Sequence, residues 1–183
     1  AILDQTMSSS TSVKILVDDR LRLMATALAA TNFPERAQER KRHHAHAHAR
    51  STIKYLQERK MDKHPAIVAL QAMLDQGTPL EAFFALAMFL DWPTLSAPIL
   101  PEWVPPGWNE QLRDFHQKAQ IAELWQSAEK SWSNARSESE RVFEEKVHFK
   151  ELLSQFVGDI EEEFVFAPNL LWPADREVGY RQG

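Results

Sequence analysis

The stretch from Pro34 to Lys60, PERAQERKRHHAHAHARSTIKYLQERK, most constrains the fold this chain can adopt. Its interior is largely Ala, Arg, Lys, Gln, Glu and Leu, the side chains that lose least on entering a helix. Pro34 suits the first helical position, where its missing N–H removes nothing, and Asn32 suits the turn before it. Glu35 and Glu39 match the positive end of the helix dipole, Lys60 and Lys63 the negative end, and Pro65 stops the run. The stretch therefore predicts a helix over 34–60, about 40 Å long, a length that invites a break near the histidines.

Four of the seven histidines of the chain lie in this stretch. On a strand, His44, His46 and His48 would share one side; on a helix, His44 and His48 are i,i+4 neighbours and His43 and His46 are an i,i+3 pair. The flanks hold almost no β-branched or aromatic residues, so the helical reading applies. His44 and His48 are then the one convergent pair, spaced as the two histidines of an HExxH zinc site. The position of that site's general base is Ala45, so no zincin mechanism is available here. A third ligand would have to come from His116, His148 or a glutamate. The expectation is a solvated basic helix with no metal site, no catalytic residue and no bound cofactor. Replacing both His44 and His48 by Ala should then leave stability unchanged within about 0.5 kcal/mol.

The rest of the chain reads as amphipathic helix with short punctuation. Val13–Val17 is a strand candidate, and Asp18-Asp19 opens a helix over Asp19–Thr31. His64-Pro65 starts another, with His64 as its cap and Gly77 past its end. Thr78-Pro79-Leu80-Glu81 reads as a capping box for an apolar helix reaching Leu90, the expected centre of the core. Residues 91–107 carry five prolines and no helical period, with Trp92 and Trp103 pinning the segment to the core. Helical spacing resumes at Trp108, the Ser-rich 131–139 stretch suggests a bend, and Gly158 ends the last helix. Phe164–Phe166 is a second strand candidate, able to pair with Val13–Val17. The six tryptophans are expected at the edge of the core with a polar end in water. The architecture is thus mainly α, an irregular bundle of about six to eight helices with a small two-stranded pairing. A disordered tail (1–12), a helical domain (13–167) and a C-terminal arm (168–183) divide the chain.

Composition removes several function classes. No cysteine is present among 183 residues, which excludes disulfides, thiolate metal sites and cysteine nucleophiles. There is no apolar run of transmembrane length, no signal-peptide pattern, no Gly-rich phosphate loop and no Gly-x-Ser-x-Gly elbow. A cytoplasmic protein without a membrane partner fits these absences, and a first residue other than Met suggests an excised fragment. The net charge of −5 hides an asymmetry: 35–63 holds nine Lys or Arg against four acids, and 137–163 holds nine acids against three bases.

Four segments together resemble a bacterial family of uncharacterised proteins: VDDRLRLMATALA, HPAI at His64–Ile67, GWNEQLRDFHQKAQIAELW at Gly107–Trp125, and the closing PNLLWPADREVGYR. Members of that family look like a helical N-terminal half followed by a zinc-metallopeptidase-like half bearing HExxH. The resemblance spans roughly residues 17–183 and implies the N-terminal, non-catalytic half. This chain has no HExxH, so no catalytic residue is carried over and zinc would belong to a full-length parent. The leading expectation is a scaffold or interaction domain whose partner is a C-terminal domain of the same protein or another protein. A metal-dependent hydrolase using His43–His48 is one alternative, and a nucleic-acid-binding module using the basic helix 34–60 is another.

Against the nucleic-acid alternative stand the negative net charge and a basic run interleaved with no aromatic residue except Tyr55. The chain should show no tight, salt-sensitive binding to DNA or RNA. Such binding, abolished by charge reversal at Arg40, Lys41 and Arg42, would establish the nucleic-acid reading instead.

Overall fold

A computed structural model describes residues 13–40, 44–146, 148–158 and 163–173. The fold is mainly α, an irregular multi-helix bundle with a small β pair, and nine α-helices occur among the described residues. The expected tail at 1–12 and the last ten residues of the expected arm lie outside the described residues.

The chain divides into two compact units. The larger comprises 17–132 and the stretch from Asn169. It holds α1 (Asp19–Ala29), α2 (Phe33–Arg40), α3 (Ala47–Glu58), a 3-10 turn at Met61–Lys63, α4 (Pro65–Asp75), α5 (Leu80–Phe89), α6 (Trp108–Lys118) and α7 (Ile121–Ser127). The smaller comprises the stretch to Leu16 and 133–168. It holds β1 (Lys14–Ile15), β2 (Val165–Phe166) and α9 (Phe149–Val157). Helix α8 (Glu129–Glu145) begins in the larger unit and continues in the smaller.

In the smaller unit the two strands pair in parallel, with Lys14 opposite Val165 and Ile15 opposite Phe166. The expected pairing of the two terminal segments is therefore present. The expected bend at 131–139 is not, because α8 runs unbroken through it. Ion pairs Arg136–Glu140, Arg141–Glu138 and Arg141–Glu145 at i,i+3 and i,i+4 spacing support a helix whose serines alone would favour a turn.

In the larger unit the centre is α1 rather than α5. Every residue from Arg22 to Ala29 is buried, and α1 packs against α2, α3, α4 and α5. Its alanines let neighbouring helices approach from several sides, whereas α5 leaves Phe89 half exposed. Asp18 caps α1 by accepting from the backbone N–H groups of Arg20 and Leu21. Pro79 itself occupies the capping position of α5, which has no side-chain capping hydrogen bond, so the expected Thr78 cap is absent.

The basic stretch forms two helices, not one: α2 ends at Arg40 and α3 begins at Ala47. His46 ends the helical reading. Its backbone is extended (φ −56°, ψ 150°), and its Nδ1 accepts the N–H of His48 at 3.1 Å, a cap made by a histidine. His64 caps α4 the same way, its Nδ1 accepting the N–H of Ala66 at 3.2 Å. The other His64 nitrogen meets Asp114 Oδ2 of α6 at 2.9 Å, and Trp108 donates its indole N–H to Ala66 O at 2.9 Å. Asp114 also takes Lys118 Nζ at 2.9 Å. That hydrogen bond, followed by the one from His64, holds the Asp114 carboxyl below the usual carboxylate range.

His64 thus caps one helix and ties it to another. His64→Ala should lower stability by about 2 kcal/mol, combining a lost cap with a lost bond to a carboxylate. His64→Asn should restore part of this, since Asn can cap. Urea denaturation at pH 7 measures both, and a His64→Ala loss under 0.5 kcal/mol would contradict the dual role.

Candidate functional site

The sequence Asp18-Asp19-Arg20-Leu21-Arg22 places four ionisable residues at the start of α1. Arg20 turns outward from α1. It meets the Asp18 carboxylate at 2.7 and 3.1 Å and donates to the carbonyls of Met88 at 2.8 Å and Leu90 at 3.3 Å, at the end of α5. Arg22, two residues on, points inward and is 9% exposed. Its Nη1 donates to Asp19 Oδ1 at 3.1 Å. Its guanidinium lies 4.4 Å from the ring centroid of Trp125 and 4.5 Å from that of Trp132.

This is a buried cation held by one carboxylate and two indole rings. Arg22 Nε and Nη2 have no hydrogen-bond partner among the described residues. The π faces compensate part of that loss. Burial pulls the Arg22 pKa below its ordinary value, and the charge of Asp19 opposes the pull. The group stays a cation in either case.

Two histidines border the cage. His48, on α3, meets Trp132 edge-on with ring centroids 5.8 Å apart. Burial, then the charge of Arg22 and that of His46, pushes its pKa down to about 4. His116, on α6, packs 5.4 Å from Trp92 and 5.6 Å from Trp125. Burial also lowers its pKa, against the pull of Asp19. The Nε2 atoms of both rings are out of contact with solvent and without a partner among the described residues, as are Thr52 Oγ1 and the indole nitrogens of Trp125 and Trp132. A general acid or base must exchange its proton with substrate or water. Neither Nε2 atom is placed to do so in this arrangement.

The histidines singled out from sequence are dispersed. His43 lies outside the described residues. His44 is exposed in the link before α3, and His48 alone of the pair is helical and is buried. They do not share a helical face, because the chain leaves the helix between them. His48 is not a solvated side chain either, so the double replacement expected to be neutral now removes a buried ring. Of the suggested third ligands, His116 is enclosed by indoles, and His148 precedes α9 in the other unit. Among the described residues no group of three or more His, Asp or Glu is placed to hold a metal ion.

Sequence reasoning missed the Arg22 cage. It placed the tryptophans at the edge of the core, whereas Trp108, Trp125, Trp132 and Trp172 are buried, and Trp92 and Trp103 are partly exposed. The one local signal was an arginine inside the apolar run LRLMATALA, which a solvated helix face would not place there.

His48 gives the cage a pH signature. Its folded pKa lies below the unfolded value, so its contribution is fully present above about pH 6.5 and is lost as pH falls toward 4. The loss should reach about 2 to 3 kcal/mol near pH 4. Urea midpoints measured from pH 7 to 4 should fall more steeply for the natural protein than for His48→Met. Equal slopes would contradict a neutral, buried His48.

No family model, no curated protein and no solved structure matches this chain.

Proposed function

We propose that the chain is a non-catalytic helical scaffold or interaction domain, and the N-terminal part of a larger bacterial metallopeptidase-like protein. Its partner is a C-terminal domain of the same protein or another protein, and any zinc belongs to that partner half. The cysteine-free composition suits a cytoplasmic setting. Among the described residues no helix is long and apolar enough to cross a membrane.

One observation carries this reading: large apolar side chains stand in water along the proline-rich segment 91–107. Ile99 is 77% exposed and Phe89, just before the segment, is 51% exposed. Trp92 and Trp103 are each more than a third exposed. Trp and Phe at such positions are the residues that anchor protein interfaces.

The backbone presenting them is already ordered. Leu95 N–H donates to Asp91 O at 2.7 Å and Asp91 N–H to Ser96 O at 2.9 Å. The Asn109 side chain donates to Leu95 O at 2.9 Å. Buried Leu95 and Val104 anchor the segment, and Trp103 packs 5.6 Å from Phe83. A surface ordered in advance loses little further freedom on binding. The inward ionisable groups, by contrast, serve caps and helix contacts.

The test begins with the parent reading frame, where an HExxH-bearing segment is expected beyond Gly183. Produced separately, that segment should bind this chain saturably, and Phe89→Asp with Ile99→Asp should weaken binding at least tenfold without changing the circular dichroism. Zinc and peptidase activity should follow the partner. One equivalent of zinc bound by this chain alone, and lost in His44→Ala, would overturn the reading in favour of a metal-dependent enzyme.

A further inference from the structure

Two helices of the larger unit begin on the imidazole Nδ1 of a histidine, His46 for α3 and His64 for α4. A ring nitrogen accepts an N–H only through its lone pair, so each cap exists on one tautomer of the neutral ring. Protonation turns that acceptor into a donor facing another donor. It also places a cation at the positive end of the helix dipole. The chemistry makes both caps sensitive to acid, but their surroundings differ.

His64 is buried, and its Nε2 meets Asp114 Oδ2 at 2.9 Å. A carboxylate on Nε2–H holds the tautomer whose Nδ1 accepts the Ala66 N–H. His46 is exposed, and among the described residues its Nε2 has no hydrogen-bond partner and its ring no carboxylate. The ionisable groups nearest it along the chain are His44, His48 and Arg50. Arg22 of α1 acts on His48, and Glu129 of α8 acts on Arg22. His48 takes no proton in mildly acidic water, because burial, then Arg22 and His46, push its pKa down to about 4. A cavity of about 940 Å³, lined by α1 to α4 and Trp172 and including Glu35 and Asp62, is bordered at the start of α3 by His44, Ala45 and Arg50. Arg50 Nη1 donates to Ala45 O, and His46 O accepts from the N–H groups of Ala49 at 3.0 Å and Arg50 at 3.3 Å. The cap, the first turn of α3 and this part of the cavity wall are thus one hydrogen-bonded piece.

We propose that His46 is a pH-responsive cap, whose protonation releases the first turn of α3 together with the cavity wall formed by His44, Ala45 and Arg50. The sign follows from the lone pair. The neutral ring holds the turn in mildly alkaline water, and acidification loosens it through the range in which an imidazole ordinarily gains its proton. The start of α4, capped by His64, stays in place over the same range.

Amide hydrogen exchange of the full ¹⁵N-labelled chain from pH 8 to 5, expressed relative to the unstructured-chain rate at each pH, tests this. Protection of the His48 N–H should fall about fivefold across the range, the typical worth of an N-cap. The Ala45 and Arg50 resonances should shift with the same midpoint, while protection of the Ala66 N–H holds. His46→Asp and His46→Asn, whose side chains cap without an imidazole, should keep the His48 protection constant. His46→Ala should show the low protection already at pH 8. Protection independent of pH in the natural protein, unmoved Ala45 and Arg50 resonances, an equal fall in His46→Asp, or a parallel fall at Ala66 would each overturn the proposal.

Discussion

The packing of the larger unit turns on one guanidinium, that of Arg22. A buried cation in the first turn of a helix that is covered by packing would be costly unless something replaced its water. Asp19, one turn earlier on the same helix, takes one nitrogen, and the indoles of Trp125 and Trp132 cover the group from short range. A planar, delocalised, weakly hydrated group suits that place, which an ammonium would not. The rings belong to α7 and the first turn of α8, so a requirement of one side chain on α1 fixes where those two pieces of the larger unit must lie. His48 and His116 follow from the same arrangement. They fill space against the indoles, and both burial and the neighbouring cation favour the neutral ring in His48.

The short acidic-basic sequence around Arg22 does several jobs at alternating positions. Asp18 caps α1 and also holds Arg20, and Arg20 in turn satisfies carbonyls at the end of α5. Asp19 faces Arg22. Side chains at i and i+2 point to different sides of a helix, so one arginine caps a neighbour at the surface while the other enters the interior. This local economy explains why the most charged turn of α1 directly precedes its most buried stretch.

Legibility from sequence divided along a physical line. Features set by neighbours along the chain could be read: the start of α1, the His64 cap marked by Pro65, the proline segment, and the two terminal strands. Features set by distant partners could not. Trp125 and Trp132 are more than a hundred residues from Arg22, and a cation between two rings has no spacing that a sequence reveals. The break in the 34–60 stretch is the instructive intermediate case. Propensity favoured one long helix, but the His46 imidazole offers the backbone a competing acceptor two residues on, as His64 does. Pro65 advertised the second cap; Ala47, an ideal helix former, concealed the first. For α8 the error ran the other way, since ion pairs three and four residues apart outweighed the turn preference of its serines. The candidate metal pair fell with the single long helix, because its convergence depended wholly on that geometry.

The Arg22 cage and the cavity lined by α1 to α4 differ in access rather than in ionisable content. The cage gathers several polar side chains, including two imidazoles, and its unpartnered nitrogens are sealed from solvent. Opening it would uncover a cation and two indoles together. The cavity holds at least as many polar side chains, and its Glu35 and Asp62 are exposed. Buried charge of the first kind holds helices in register and penalises any motion that would admit a ligand. Exposed charge of the second kind contributes little to stability. In this chain the imidazole Nε2 atoms of the cage are sealed among indoles, whereas the large apolar side chains of Phe89 and Ile99 stand exposed.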